Sequence, residues 1–292
     1  MKLLATSDLH LTYEVNRRAL DAVSPHPEDW LIVAGDTGQL PEYLETALEV
    51  LTPKFARLIW VPGNHDLWCP ADSTDLSRGE ARYAELVALC RRFGALTPED
   101  PYAEWPDEPG TFLVPMFLLY DYSFRPPDVS RADAVGWARE TGVLASDERL
   151  LDPAPWPSRE AWCEARCRLT ETRLNALPAG ARTVLINHWP LRYDLARPPR
   201  IPRFSIWSGT TRTEDWPTRY RARAVVSGHL HIRTTLFRHD VRFEEVSLGY
   251  PRDWKEERGI DWYLREILPS TGKDRDRWIP ARDPFLSAGL SL

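Results

Sequence analysis

Residues 58–66, Leu58-Ile59-Trp60-Val61-Pro62-Gly63-Asn64-His65-Asp66, pass in one step from an unbroken apolar run to a polar cluster. An aliphatic and aromatic run of this length, without alternation, predicts a strand buried on both faces. Pro62 and Gly63 punctuate it, and an amide, an imidazole and a carboxylate follow in succession. The same transition recurs four times. Lys2-Leu3-Leu4-Ala5-Thr6 leads into Ser7-Asp8-Leu9-His10, and Trp30-Leu31-Ile32-Val33-Ala34 into Gly35-Asp36. Thr183-Val184-Leu185-Ile186 leads into Asn187-His188, and Ala224-Val225-Val226-Ser227 into Gly228-His229-Leu230-His231.

Helical segments separate the early strands. They are predicted over 14–23, over 41–51 with Pro41 in the first turn, and from the capping-box pattern Ser77-Arg78-Gly79-Glu80 to Gly94. Strands alternating with helices predict an α/β fold. In such folds ligands bind beyond the carboxyl ends of strands, which is where all five polar clusters fall.

Those clusters supply Asp8, His10, Asp36, Asn64, His188, His229 and His231. The donors are oxygen or imidazole with no thiolate, a set suited to manganese, iron or zinc more than to calcium or magnesium. Seven ligands are too many for one four-coordinate ion, whereas two ions sharing a carboxylate use them all. Five of the seven histidines sit in these clusters; His26 and His239 read as surface or turn residues. Taken singly, each cluster has a plain structural explanation, because an Asp at a strand end commonly caps a turn. In this order, each at the end of a buried strand, they point to one site.

The order Asp-x-His, Gly-Asp, Gly-Asn-His-Asp, His, Gly-His-x-His resembles that of the calcineurin-like metallophosphoesterases. The resemblance covers roughly residues 1–68, 110–120 and 181–250. It implies a four-layer α/β/β/α sandwich, two mixed β-sheets face to face with helices outside, holding two divalent metal ions. Manganese is the first expectation, with iron, zinc or nickel as alternatives. By the same resemblance Asp8, His10 and His231 would hold one ion, Asn64, His188 and His229 the other, and Asp36 would bridge them. His65 would protonate the leaving-group oxygen or steady the transition state, and Asp66 would orient the His65 imidazole. The implied reaction is phosphoester hydrolysis through a hydroxide bridging the ions, which roughly 3.5–4 Å apart would lower the pKa of a shared water. A phosphodiester is the favoured substrate; a phosphomonoesterase, or a non-catalytic scaffold of the same fold, is the alternative.

The chain has 292 residues, 43% hydrophobic and 27% charged, a composition typical of a globular protein. No apolar run approaches the roughly 20 residues of a membrane span, and no signal peptide opens the chain, so a cytoplasmic location is expected. Of the cysteines, Cys90, Cys163 and Cys167 fall on apolar helix faces, and no C-x-x-C spacing supports a disulfide or thiolate site.

Charge is segregated. Residues 190–223 carry eight arginines and no lysine against Asp194, Glu214 and Asp215, a balance of +5 within a chain of −6. This segment lies between two ligand-bearing strands and is expected to border the site. Arg192, Arg200, Arg203 and Trp207 are its candidate substrate contacts, suited to a small nucleotide-like or other phosphorylated molecule, or to a short oligonucleotide end. The acidic total argues against non-specific binding to long nucleic acid, and no obligate protein partner is evident. One domain spanning 1–292 is expected, with 121–157 inserted as a cap-like segment carrying a short helix around 132–140. The tail beyond Gly249 is expected to pack on the surface without chemistry.

Overall fold

The computed structural model describes residues 1–69 and 77–269. The first third lays down β1 (Leu3–Thr6), α1 (Glu14–Asp21), β2 (His26–Val33), α2 (Pro41–Leu51) and β3 (Phe55–Trp60). Next come the one-turn α3 (Asn64–Leu67), α4 (Gly79–Arg92), β4 (Ala103–Glu104) and β5 (Thr111–Pro115). The middle holds α5 (Ala134–Arg139), α6 (Asp147–Leu150), α7 (Arg159–Asn175) and β6 (Arg182–Ile186). The last part adds α8 (Trp216–Arg219), β7 (Ala222–Ser227), β8 (Thr234–Arg238), β9 (Val241–Glu245) and β10 (Arg265–Leu268).

Two mixed sheets result, ordered β10-β1-β2-β3 and β4-β5-β6-β7-β9-β8. Their central strands are parallel, with Leu3 paired to Trp30 and Val33 to Trp60 in one sheet, and Leu185 to Val225 in the other. Alternation decides the layers, because successive side chains point to opposite faces. Leu3, Ala5, Ile32 and Ile59 meet Leu113, Val184, Ile186, Ala224 and Val226 in one dry cluster between the sheets. Their neighbours Leu31, Val33, Leu58 and Leu185 face outward into the cluster that holds Leu44 and Leu48 of α2 and Trp162 of α7. The expected α/β/β/α sandwich is therefore present. Each such leucine, fully buried, contributes about 1.5–3 kcal/mol.

The helix over 41–51 forms with those bounds, Pro41 at its start and Leu44, Ala47, Leu48 and Leu51 buried along one stripe. The capping box at Ser77 does not form. The helix begins at Gly79 behind Arg78, which makes no side-chain cap, and the Ala154 carbonyl accepts from Glu80 N at 2.8 Å. The expectation for the tail is also overturned. Arg265–Leu268 is an edge strand antiparallel to β1, Trp254 is buried, and Tyr250 and Asp253 reach the site described below. Trp278, the last tryptophan of the tail, lies outside the described residues. All four cysteines are buried. No helix among the described residues is long and apolar enough to cross a membrane.

Candidate metal centre

Beyond their last paired residues the two sheets touch. Ser7 forms a parallel bridge to Ser247, accepting from Leu248 N at 2.8 Å and donating to Val246 O at 3.1 Å. The polar clusters turn away from the strands at this seam. Asp8, His10, Asp36, His229 and His231 all adopt φ between 42° and 74°, the left-handed region that side-chain-bearing residues rarely occupy. Glycines make the approach possible. A Cβ on Gly63 would lie 2.1 Å from Asp36 Oδ1, and one on Gly228 2.3 Å from Asp8 Oδ2. The Gly-Asn-His-Asp and Gly-His-x-His pairings thus have a steric reason.

All seven expected ligands converge, and His188 and Asp8 are completely buried. Asp8 Oδ1 lies 3.0 Å from His231 Nε2 and 3.8 Å from His10 Nε2, and the two imidazole nitrogens are 3.1 Å apart. Asn64 Oδ1 faces His229 Nδ1 at 3.0 Å and His188 Nε2 at 3.3 Å. Asp36 sits between the two groups, its Oδ2 3.5 Å from His188 Nε2 and 3.8 Å from His65 Nε2.

Outer partners orient these donors. Asp253 Oδ2 lies 3.0 Å from His231 Nδ1, and the Ala34 carbonyl 2.8 Å from His188 Nδ1. An ionised carboxylate or a carbonyl can only accept, so each Nδ1 carries a proton and each Nε2 faces the other candidate ligands. Asn64 is held by its amide nitrogen, which donates to Asp147 Oδ1 at 2.9 Å and leaves Oδ1 facing the histidines.

The donor set fits cations. Burial opposes charge on His188, but Asp36 and Asp8 outweigh it and hold the imidazole up to about 9. His231 is raised to about 10 against burial by Asp8 and Asp253. The carboxylates draw in positive charge. Burial pushes His10 down to about 3 and lifts Asp36 to about 6, against the pull of His188. Three groups, Asp8–His10–His231, Asp8–Asp36–His188 and His10–Asp36–His65, place ligand atoms within 4.8 Å of one another. His229 Nε2, buried, has no hydrogen-bond partner among the described residues.

His65 lies beside the ligands, 8% exposed, its ring stacked on Trp68 at 3.6 Å and edge-on to His10 at 4.7 Å. Asp66 does not orient it. Both Asp66 oxygens are taken by Asp36 N, Gly63 N, Thr37 N and Thr37 Oγ1 at 2.5–3.0 Å, and His65 Nδ1 has no partner among the described residues. Asp66 holds the Gly35 and Gly63 turns together instead. The His65 backbone N–H donates to Asp36 Oδ1 at 2.8 Å, so the Asp36 carboxylate is positioned from the same turn.

A cavity of about 890 Å³ opens onto Asp36, Asn64, His65, His229 and His231. Of the four substrate contacts expected from 190–223, Arg200 lines it. Arg192 is engaged by Asp194 at 2.8 Å, and Arg203 by Glu140 and the Trp137 carbonyl. Trp207 is wholly buried with Nε1 bonded to Glu148 at 2.7 Å, so it offers no stacking face. Sequence reasoning missed Trp68, Asp147, Tyr250 and Asp253. No spacing marks them, and chain folding alone brings them to the ligands. The inserted segment 121–157 reaches the site through Asp147, and α5 packs beside residues 202–207.

A model of calcineurin-like phosphoesterases matches residues 1–233. A Mycobacterium tuberculosis (strain ATCC 25618 / H37Rv) protein, "[Acyl-carrier-protein] phosphodiesterase PptH", is 46% identical over 270 residues, covering 91% of this chain and 83% of that protein. The crystal structure of phosphopantetheinyl hydrolase (PptH) from M. tuberculosis superposes with a TM-score of 0.87 at 45% identity, covering 92% of this chain and 96% of that one. A putative 5′-nucleotidase from Staphylococcus aureus superposes at a TM-score of 0.44 and 12% identity, covering 83% of this chain and 48% of that one, too distant to carry argument.

Proposed function

This chain belongs to the calcineurin-like phosphoesterase family and is a metal-dependent phosphodiesterase, and from that premise we propose that it hydrolyses the phosphodiester joining a phosphopantetheine arm to a serine of an acyl carrier protein. Water adds to phosphorus, the bond from phosphorus to the serine oxygen breaks, and that oxygen takes the proton. The products are free 4′-phosphopantetheine and the unmodified carrier. The observation that carries this reading is the 46% identity, over nine-tenths of the chain, to a protein named for that activity. It replaces the small nucleotide-like substrate expected from the sequence with a protein-borne diester.

In this reading Asp8, His10 and His231 hold one ion, Asn64, His188 and His229 the other, and Asp36 is shared. The thiolate-free set of carboxylate, amide oxygen and imidazole donors admits manganese, iron or zinc, of which manganese is our first choice. Such a pair supplies Lewis-acid polarisation of the phosphoryl group and a water of lowered pKa. The protein's own contribution is positioning. Burial, and next the neighbouring His10, hold His65 well below its usual value. His65 therefore acts as a neutral N–H donor to charge developing on the phosphoryl or leaving oxygen, which favours the second of its two expected roles. The inserted segment 121–157 braces the site from behind through Asp147. A carrier-protein substrate also fits the cytoplasmic location expected from the sequence.

The test is direct. Manganese-loaded enzyme incubated with holo-carrier protein should convert it to the unmodified form, with free 4′-phosphopantetheine in the supernatant by mass spectrometry. Cleavage of nucleotide diesters with the holo-carrier left intact would sink the reading.

A further inference from the structure

We infer that the part of the active-site cavity lined by Pro198, Ile201, Leu230, Ile232 and Trp262 is the seat of the pantetheine arm and the element that selects the substrate; this rests on the carrier-protein reading above. The cavity's size is the first argument. At about 30 Å³ per water, a phosphate occupies the space of a few waters, and most of the 890 Å³ lies beyond its reach. Volumes in this range accommodate a whole ligand of a few dozen atoms.

The second argument is what the wall offers. The aromatic rings around the cavity already use a face on other groups. Tyr250 is stacked on His10 at 4.4 Å, Phe204 on His229 at 5.2 Å, and Trp262 carries the Arg258 guanidinium at 4.4 Å. Beside the arginines Arg200, Arg233 and Arg252, the lining offers a ligand the aliphatic groups of Ile201, Leu230, Ile232 and Pro198. Such a wall suits a branched, amide-linked aliphatic chain better than a purine or pyrimidine, which gains most from a flat aromatic partner. The third argument is access. Ile201 and Arg200 line the cavity and are also exposed to solvent, so an arm held inside it can stay joined to a carrier protein outside.

The experiment uses the manganese-loaded full chain and the variant Ile201→Gln/Ile232→Gln, whose side chains are exposed or half-buried and leave the sheets' core untouched. Two readouts are taken: kcat/KM on holo-carrier protein relative to bis-p-nitrophenyl phosphate, and competitive inhibition of the latter by pantetheine, which has the arm and no phosphate. The ratio should fall at least tenfold in the variant, and the pantetheine inhibition constant should rise by a similar factor. An unchanged ratio, or wild-type enzyme insensitive to pantetheine, overturns the arm subsite while leaving the carrier-protein reaction standing. Wild-type enzyme bound by pantetheine yet inert on holo-carrier protein overturns the function, and with it the arm's role in selecting that substrate.

Discussion

Asn64 can ligate only through its amide oxygen, and its environment decides which way the amide faces. Asp147 accepts from Asn64 Nδ2 at 2.9 Å and from Trp68 Nε1 at 2.7 Å, and Trp68 in turn stacks on His65. One carboxylate oxygen, Oδ1, thus steadies a proposed ligand and the ring on which His65 is stacked. In Asp147→Ala both donors lose that shared acceptor. Outer-shell changes of this kind typically cost about 10–100-fold in metal affinity or activity. We expect manganese retained after dialysis, measured by elemental analysis, to fall together with the rate. A variant that keeps its full metal content and rate would show that Asp147 is only a packing residue. The seven candidate ligands, which the fold brings together, were legible residue by residue because each sits in a short motif at a strand end. Asp147 and Asp253 were not, since each is an isolated acid whose role depends on a contact 83 or 22 residues away.

At the scale of elements, the strand-end turns bring the chemistry together at a cost. Each left-handed, side-chain-bearing residue costs about 1–2 kcal/mol, and five of the seven ligands are of this kind. The surrounding elements must hold those turns rigidly. Part of that support is the junction of α4 and α7, where Glu99 accepts from Tyr83 Oη and from Arg166 at 2.6 Å each, while Arg166 also donates to the Phe117 carbonyl. Burial raises the Glu99 carboxyl, but the Arg166 charge and these two bonds outweigh it and leave it below the usual value. A depressed folded-state value means that the stabilisation is complete above the unfolded value and is lost as pH falls through the folded one. Glu99→Gln should therefore lower stability by about 1–2 kcal/mol near pH 7, a hydrogen-bonded charge at a partly exposed site. The gap to wild type should narrow as pH is taken below the ordinary glutamate range and through the depressed folded-state value, as read from urea unfolding over a series of acidic pH values. A gap that stays constant would mean that the ion pair contributes no stability.

Helices with clean apolar stripes, such as α2, were read from the sequence to the residue. The hairpin of β8 and β9 and the edge strand β10 were harder. Glu244, Arg242 and Arg265 are buried there as an ion-paired group beside buried Glu245, so the polar pattern hides a core position.

For the molecule as a whole, the site joins two sheets whose dry interface stops short of it. Asp8, His10, Asp36 and Asn64 follow strands of the four-stranded sheet, whereas His188, His229 and His231 follow strands of the six-stranded one. Ions bound between them stabilise the folded pair of sheets and have no such site in the unfolded chain. Chelation should therefore lower Tm, and added manganese should restore it. At a thousandfold excess over Kd the effect is about 4 kcal/mol, or on the order of 10 °C for a chain this long. Thermal melts with and without chelator measure it, and coincident melts would exclude a site built across the sheets.

The sequence alone determined the reaction class and brought forward the candidate ligands. Buried parallel strands must be apolar, and the only places where their polar residues can gather are the ends. The identities of those residues then limit the chemistry to oxygen and imidazole ligation. Tertiary structure alone decided which carboxylate serves which histidine, that the tail carries Asp253 and Tyr250 into the site, and that Trp207 is core. It also decided that a cavity of about 890 Å³, lined by both aliphatic side chains and arginines, opens onto Asp36, Asn64, His229 and His231. These depend on which distant segments pack together and on which aromatic faces that packing uses up, and no local pattern of residues encodes either.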